Sequence, residues 1–334
     1  VDDVKEHFES SFDSVYSGDS LLHIPFLTIL GNHDYYSKPE VVSELTKLRG
    51  LLSNPSKVRS SAGRRFFLDD NRYYAVDVYL YARKRDPLSI QVLVDINDKV
   101  LIQRDHDHNT MTTLVNAAND VSSSRNGRNG NNRSSSGTNN SSSQAMLNKM
   151  RTSGQYFMYH LARLVFLDTV PLLGMDQSDV VKKQRIRPEE ILSQNTTRQL
   201  QWFRDSLQHT DARWKLVFGH HPAHSFGWHG DNEAIKKLVV NDVLEKYGAH
   251  AYISGHDHVM QHARDPATKL HHFISGAGSK VDGDNNVRNM AGKDHLQKLF
   301  YYAATPGYMM MELQAKRVYG EFRNVDGHLL HKST

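Results

Sequence analysis

Apolar residues in this chain follow two patterns. Short unbroken runs rich in β-branched and aromatic side chains alternate with polar stretches in which apolar residues recur every third or fourth position. The first pattern predicts strands buried on both faces, the second amphipathic helices. Val4, Phe8, Phe12 and Val15 predict a helix over 1–18, with Asp2, Asp3 and Glu6 at its positive end. A strand over 24–30 follows. Val41, Leu45, Leu48 and Leu52 predict a helix over 40–52 that starts after Pro39, and 65–68 with 73–78 read as a hairpin closed by Asp69-Asp70-Asn71-Arg72. Then come a strand over 163–168, a helix over 196–207 with Leu200, Phe203 and Leu207 on one face, and a strand over 215–218. A helix over 234–247 and strands over 249–254 and 271–275 complete the alternation, which predicts layered α/β architecture. The tail, 308–313 and 317–324, reads as two antiparallel strands with a turn at 325–328.

Residues 79–102 fit neither pattern. Residues 116–143 are Ser, Asn, Gly and Arg with almost nothing apolar, so burial cannot repay the entropy of ordering them. We read a disordered insertion at about 104–150 within a single domain over 1–334. Lys+Arg 41 against Asp+Glu 37 gives a net charge of +4 and a pI near 9.0, a mild basicity that suits an anionic substrate but does not argue for nucleic acid. With Cys 0, neither a disulfide framework nor thiolate chemistry is available. No stretch approaches the ~18 apolar residues of a membrane span. The chain begins Val1-Asp2-Asp3, so an upstream segment is expected to have been removed or left out.

Three of the predicted strands end on glycine and deliver polar residues at once: Gly31-Asn32-His33-Asp34, Gly219-His220-His221-Pro222 and Gly255-His256-Asp257-His258. Ligands of α/β sheets lie just beyond the carboxyl ends of strands, where glycine permits a sharp turn and close approach. Neutral imidazole suits zinc, iron, nickel or copper, and an asparagine amide oxygen is a weaker, harder ligand. Asn32, His220, His256 and His258 could therefore converge on a metal, leaving His33 and His229 to move protons. Each loop alone also has a bland reading, an Asn/Asp turn or a satisfied core or surface histidine. Asp105-His106-Asp107-His108 repeats the tripeptide without a preceding glycine and reads as solvated loop; so does the basic run 182–187, whose alternative is to attract phosphorylated substrates. His271 and His272 precede their strand and read as structural.

With GNHD, GHHP and GHDH in that order, each after a strand, the chain resembles the calcineurin-like metallophosphoesterases. Residues 1–34, Leu167-Asp168-Thr169-Val170, Gln199-Leu200-Gln201-Trp202, His229-Gly230 and Ser275-Gly276-Ala277-Gly278 narrow the likeness to the small tartrate-resistant type of purple acid phosphatase. That resemblance implies two mixed β-sheets packed as a sandwich flanked by helices, a four-layer α/β/β/α fold. It implies two metal ions, Fe(III) plus a divalent ion (Fe, Zn or Mn), bridged by a hydroxide that attacks phosphorus. By motif, Asn32, His220 and His256 would hold the divalent ion and His258 the other; His33 and His229 would protonate or orient the leaving oxygen, with Asp34 behind them. The implied activity is acid hydrolysis of phosphoric monoesters, on phosphorylated small molecules or phosphoproteins, by a monomer in a secreted or lysosomal compartment. Asn195-Thr196-Thr197 offers a glycosylation sequon.

The family's Asp-x-Gly and Gly-Asp-x-x-Tyr loops, which supply the bridging aspartate, a second aspartate and the tyrosinate, have no counterpart here. Val1 aligns just after the tyrosine motif, and Asp13 and Asp19 fall in a predicted helix and its closing turn. The expectation is an amino-terminally truncated acid phosphatase, because a sheet without its first strands would expose unpaired edges. The alternatives are a non-catalytic relative and a phosphodiesterase built on the same metal ligands.

Overall fold

The computed structural model describes residues 26–35, 66–67, 72–96, 99–104, 111–112, 141–173, 194–282 and 298–334, together with residues 10 and 15. The helices expected over 1–18 and 40–52, most of the insertion, the 105–108 motif and the 182–187 run lie outside these residues. In chain order the strands are β1 (Phe26–Leu27), β2 (Phe66–Phe67), β3 (Tyr74–Arg83), β4 (Asp86–Ile96), β5 (Lys99–Arg104), β6 (Met111–Thr112) and β7 (Tyr156–Phe166). They continue as β8 (Trp214–Phe218), β9 (Ala251–Ser254), β10 (Met260–Arg264), β11 (His271–Ser275), β12 (Lys298–Ala303), β13 (Gly307–Leu313), β14 (Val318–Asn324) and β15 (Leu329–Ser333). The helices used below are α1 (Ser141–Thr152), α2 (Val170–Leu173) and α3 (Thr196–Gln208). The chain divides into two compact units, one of residues 1–74, 165–210 and 214–334, the other of 75–164 and 211–213.

The first unit carries the three glycine-ended loops. Its mixed sheet runs β12-β10-β11-β9-β8, with β8, β9 and β11 parallel and β10 antiparallel to both β11 and β12. The β8/β9 register sets Phe218 opposite Ile253, so the two following loops leave the sheet side by side. Gly219 N–H donates to the Ile253 carbonyl at 3.1 Å and Gly255 N–H to that of His220 at 3.1 Å, which ties the loops together. A second sheet, β13-β14-β15, is antiparallel throughout. Phe322, fully buried, meets Phe273 of the first sheet at 6.2 Å between ring centroids, and Tyr301 stacks on His331 at 4.8 Å, so the sheets face each other as expected of a sandwich. Helix α3 forms where its periodicity placed it: Leu200, Phe203 and Leu207 are buried, and Asn195 caps its first turn by accepting the Arg198 N–H at 2.9 Å. The helix read over 234–247 runs from Glu233 as one turn of α-helix into a π-helical segment, Lys236–Leu244, and buries Val239, Val240, Val243 and Leu244.

The second unit is an antiparallel arrangement of strands in the order β7-β3-β4-β5-β6. Tyr79, Tyr81, Leu93, Leu147 and Met150 form its buried cluster. Helix α1 contributes Leu147 and Met150, and both this helix and β6 lie inside the stretch assigned to the insertion. Arg163 holds Asp77 through two hydrogen bonds of 2.7 and 2.6 Å, and His160 bridges Asp77 and Asp211.

Three elements differ from the pattern reading. Phe66–Phe67 is not one arm of a hairpin: it pairs in parallel with β1, Phe26 opposite Phe66, while β3 pairs antiparallel with β4. Residues 79–102 lack a clean alternation because bulges at Tyr81/Arg83 and Val94/Asp95 shift the side-chain phase within β3–β5. The strand read over 24–30 is described only as Phe26–Leu27, both half-buried, and the tail gains a third strand, β15. Among the described residues no helix is long and apolar enough to cross a membrane.

Candidate metal centre

The site belongs to the first unit and forms where the loops after β1, β8 and β9 meet. Asn32 opens a single 3-10 turn, Asn32–Tyr35, that closes on itself: the Asp34 carboxylate accepts the Gly31 N–H at 2.8 Å and Asp34 N–H reaches the Gly31 carbonyl at 3.1 Å. That turn aims the buried Asn32 inward and leaves His33 exposed. Burial raises the Asp34 pKa. Asn32 Oδ1 lies 2.8 Å from His220 Nε2, and His220 Nε2 lies 3.2 Å from His256 Nδ1. His256 has φ +66°, in the left-handed region, and is thereby carried off the end of β9. Gly31 must be glycine here, since a Cβ would stand 2.9 Å from the His220 ring.

Burial pulls His220 down to about 4 and His256 down to about 3, and the neighbouring histidines push the same way. Both rings are therefore neutral over the ordinary pH range and keep a lone pair to share with a cation. His221, 1% exposed, joins them: nitrogens of His220, His221 and His256 all lie within 4.8 Å of one another. Its Nδ1 meets the Thr169 hydroxyl at 2.9 Å, and its Nε2 has no hydrogen-bond partner among the described residues. An orphaned buried nitrogen among neutral imidazoles beside an amide oxygen is a donor set that fits a transition-metal ion.

His258 turns to a different partner. Its Nδ1 is 3.3 Å from Asp282 Oδ1 and its backbone N–H donates to Oδ2 at 3.2 Å, which leaves Nε2 without a hydrogen-bond partner among the described residues. His229 lies with its ring against that of His256, tilted by 35° with centroids 4.2 Å apart. Its Nδ1 and its backbone N–H both reach Asp257 Oδ1, at 2.6 and 3.0 Å, and that hydrogen bond raises the His229 pKa. Asp257, completely buried, also takes the Ser225 hydroxyl. Behind the first loop, Tyr35 donates to Asp168 and accepts from Arg72 at 2.8 Å, and burial pushes Asp168 up to about 7.

The structure thus brings Asn32, His220 and His256 together with His229 against them, and places His258 on Asp282. His33 stays at the surface and Asp34 folds back on its own turn. Sequence reading passed over His221, Asp257, Asp282 and the Tyr35–Asp168 pair. The signal for Asp257 was available, as the one acid between two histidines of a single motif.

Residues 138–260 match the protein family described as calcineurin-like phosphoesterase. Over 128 residues the chain is 38% identical to purple acid phosphatase 17 of Arabidopsis thaliana, an alignment covering 38% of this chain and 36% of that protein. Over 173 residues it is 30% identical to tartrate-resistant acid phosphatase type 5 of Oryctolagus cuniculus, covering 51% of each. A solved structure described as "GAP50 the anchor in the inner membrane complex of Plasmodium" aligns with 54% of this chain and 50% of its own at 20% identity and a TM-score of 0.40. The chain spans about half or less of the length of these relatives.

Proposed function

We propose that this chain, which carries a calcineurin-like phosphoesterase domain and is related to the purple and tartrate-resistant acid phosphatases, is the metal-binding part of an enzyme that hydrolyses phosphoric monoesters. The observation that carries the reading is the gathering of Asn32, His220 and His256 from three separate strand ends into hydrogen-bond distance of one another. Those three residues would hold a divalent ion (Fe, Zn or Mn), and His258, oriented by Asp282, would hold Fe(III). When bound, such ions lower the pKa of water and offset charge that develops on phosphoryl oxygens.

The chain's own residues do the rest. Asp257 fixes the His229 ring through Nδ1 and favours its protonated form, so Nε2 presents a proton at the edge of the cluster, suited to a leaving oxygen. His33, exposed beside Asn32, would act on the same oxygen, as the family resemblance implies. Burial of the three imidazoles costs no charge, because all stay neutral. The substrates that fit are phosphorylated small molecules or phosphoproteins. A secreted or lysosomal setting accords with the exposed Asn195 and Thr197 of the sequon.

The test is hydrolysis of an aryl monophosphate by the full chain at acid pH with iron and zinc supplied. Turnover abolished by chelation and by His256→Ala, with unchanged far-UV dichroism, is the expected result. Turnover that survives His256→Ala would overturn the reading.

A further inference from the structure

We infer that His221 is a further metal ligand, so that the divalent site draws three imidazoles and one amide oxygen from this chain. The inference rests on the metal-centre reading above and extends it to a residue that the family resemblance does not assign.

Three observations carry it. His221 is 1% exposed and its Nε2 is orphaned among the described residues, a condition that destabilises the fold unless something satisfies it. The ring is already held as a ligand would be. Thr169 Oγ1 accepts the His221 backbone N–H at 3.2 Å and stands 2.9 Å from Nδ1, where it can also accept the Nδ1 proton and leave the Nε2 lone pair unengaged. Metal-bound histidines characteristically give their second N–H to such a partner. The backbone has no freedom to withdraw, since Tyr252 donates to the His221 carbonyl at 2.7 Å and a Cβ on Gly219 would collide with the same hydroxyl.

The third observation is the mutual placement of the rings. Centroid separations are 4.8 Å for His220–His221, 5.1 Å for His220–His256 and 4.5 Å for His221–His256. Imidazoles sharing one ion at ~2.0–2.1 Å per nitrogen in a tetrahedral arrangement place their centroids roughly 5 Å apart. With Asn32 Oδ1 alongside, the set is three nitrogens and one oxygen, which favours a borderline ion such as zinc over magnesium or calcium.

Zinc K-edge X-ray absorption counts imidazoles directly and needs no turnover. The full chain carrying His258→Ala, which removes the second site, is loaded with one equivalent of zinc. Three imidazoles are expected, falling to two when His221→Phe is added, with zinc affinity by chelator competition at least about tenfold weaker. Two imidazoles in the parent, or an unchanged count with His221→Phe, would overturn the inference and leave the metal centre standing. Failure of the parent to take up zinc would overturn both. Should His221→Phe fail to fold, the parent count alone decides.

Discussion

His229 owes its place and its proton to one residue. Asp257 receives both its ring and its backbone N–H, and is itself pinned by the Ser225 hydroxyl. His229→Ala is expected to lower aryl phosphate turnover by about 10²–10⁴-fold, the usual worth of a positioned acid, with metal content unchanged. Asp257→Asn should lower both turnover and melting temperature, because it removes a buried anion that three donors face. The check is parallel kinetics and metal analysis; a His229→Ala variant with parental turnover would remove His229 from the chemistry. At this scale the sequence was readable where glycine ends a strand, since only a rigid strand end and a flexible glycine can aim a ligand. His221 and Thr169 were not readable, because their roles arise from a contact across 52 residues of chain.

The elements themselves hold the loops in place through close backbone approach. Gly276, after β11, packs so tightly on the Asp257 carbonyl that no side chain fits, and Asp257 N–H in turn reaches the Gly255 carbonyl at 2.8 Å. Gly276→Ala is therefore expected to cost about 1–3 kcal/mol by overpacking and to weaken metal uptake, as it displaces the segment bearing His256 and His258. Thermal melts with metal titration check it; parental stability would contradict it. Helix α3 and strands β8, β9 and β11 were legible because each keeps one unbroken period. The hairpin over 65–78 was misread because local turn chemistry at 69–72 says nothing of the long-range parallel partner at Phe26. The π-helical segment Lys236–Leu244 kept its apolar face, so periodicity placed it without revealing its wider turn.

Across the whole first unit, the two sheets meet through a chain of three histidines. His262 Nδ1 lies 2.9 Å from His331 Nε2 and its Nε2 2.9 Å from His271 Nδ1, between Phe273 and Phe300. Burial pulls His262 down to about 3 and His271 down to about 4, and lowers His331; Arg264 adds to the first two and His250 to the second. An unfolded chain takes up these protons below the ordinary 6.5, whereas the folded one resists until about 4 or lower. Stability should therefore fall as pH drops from about 6.5 towards about 3 and level off below that. His262→Phe, which keeps the stacking, should flatten this loss in melts between about pH 7.5 and about pH 4.5; an unchanged slope would show that other groups set it. The layered α/β architecture was legible from alternating strands and helices and the sandwich from the family resemblance, but this join was not, because His271 and His331 lie in different sheets.

The most direct measurement is metal content of the full chain by mass spectrometry after loading with iron and zinc, alongside aryl phosphate turnover, in the parent and in His220→Ala with His256→Ala. An ion held by the parent and lost from the variant, with any hydrolysis lost alongside it, is predicted. A folded parent that holds no ion, or a variant that keeps it, would contradict a metal centre built on these strand ends.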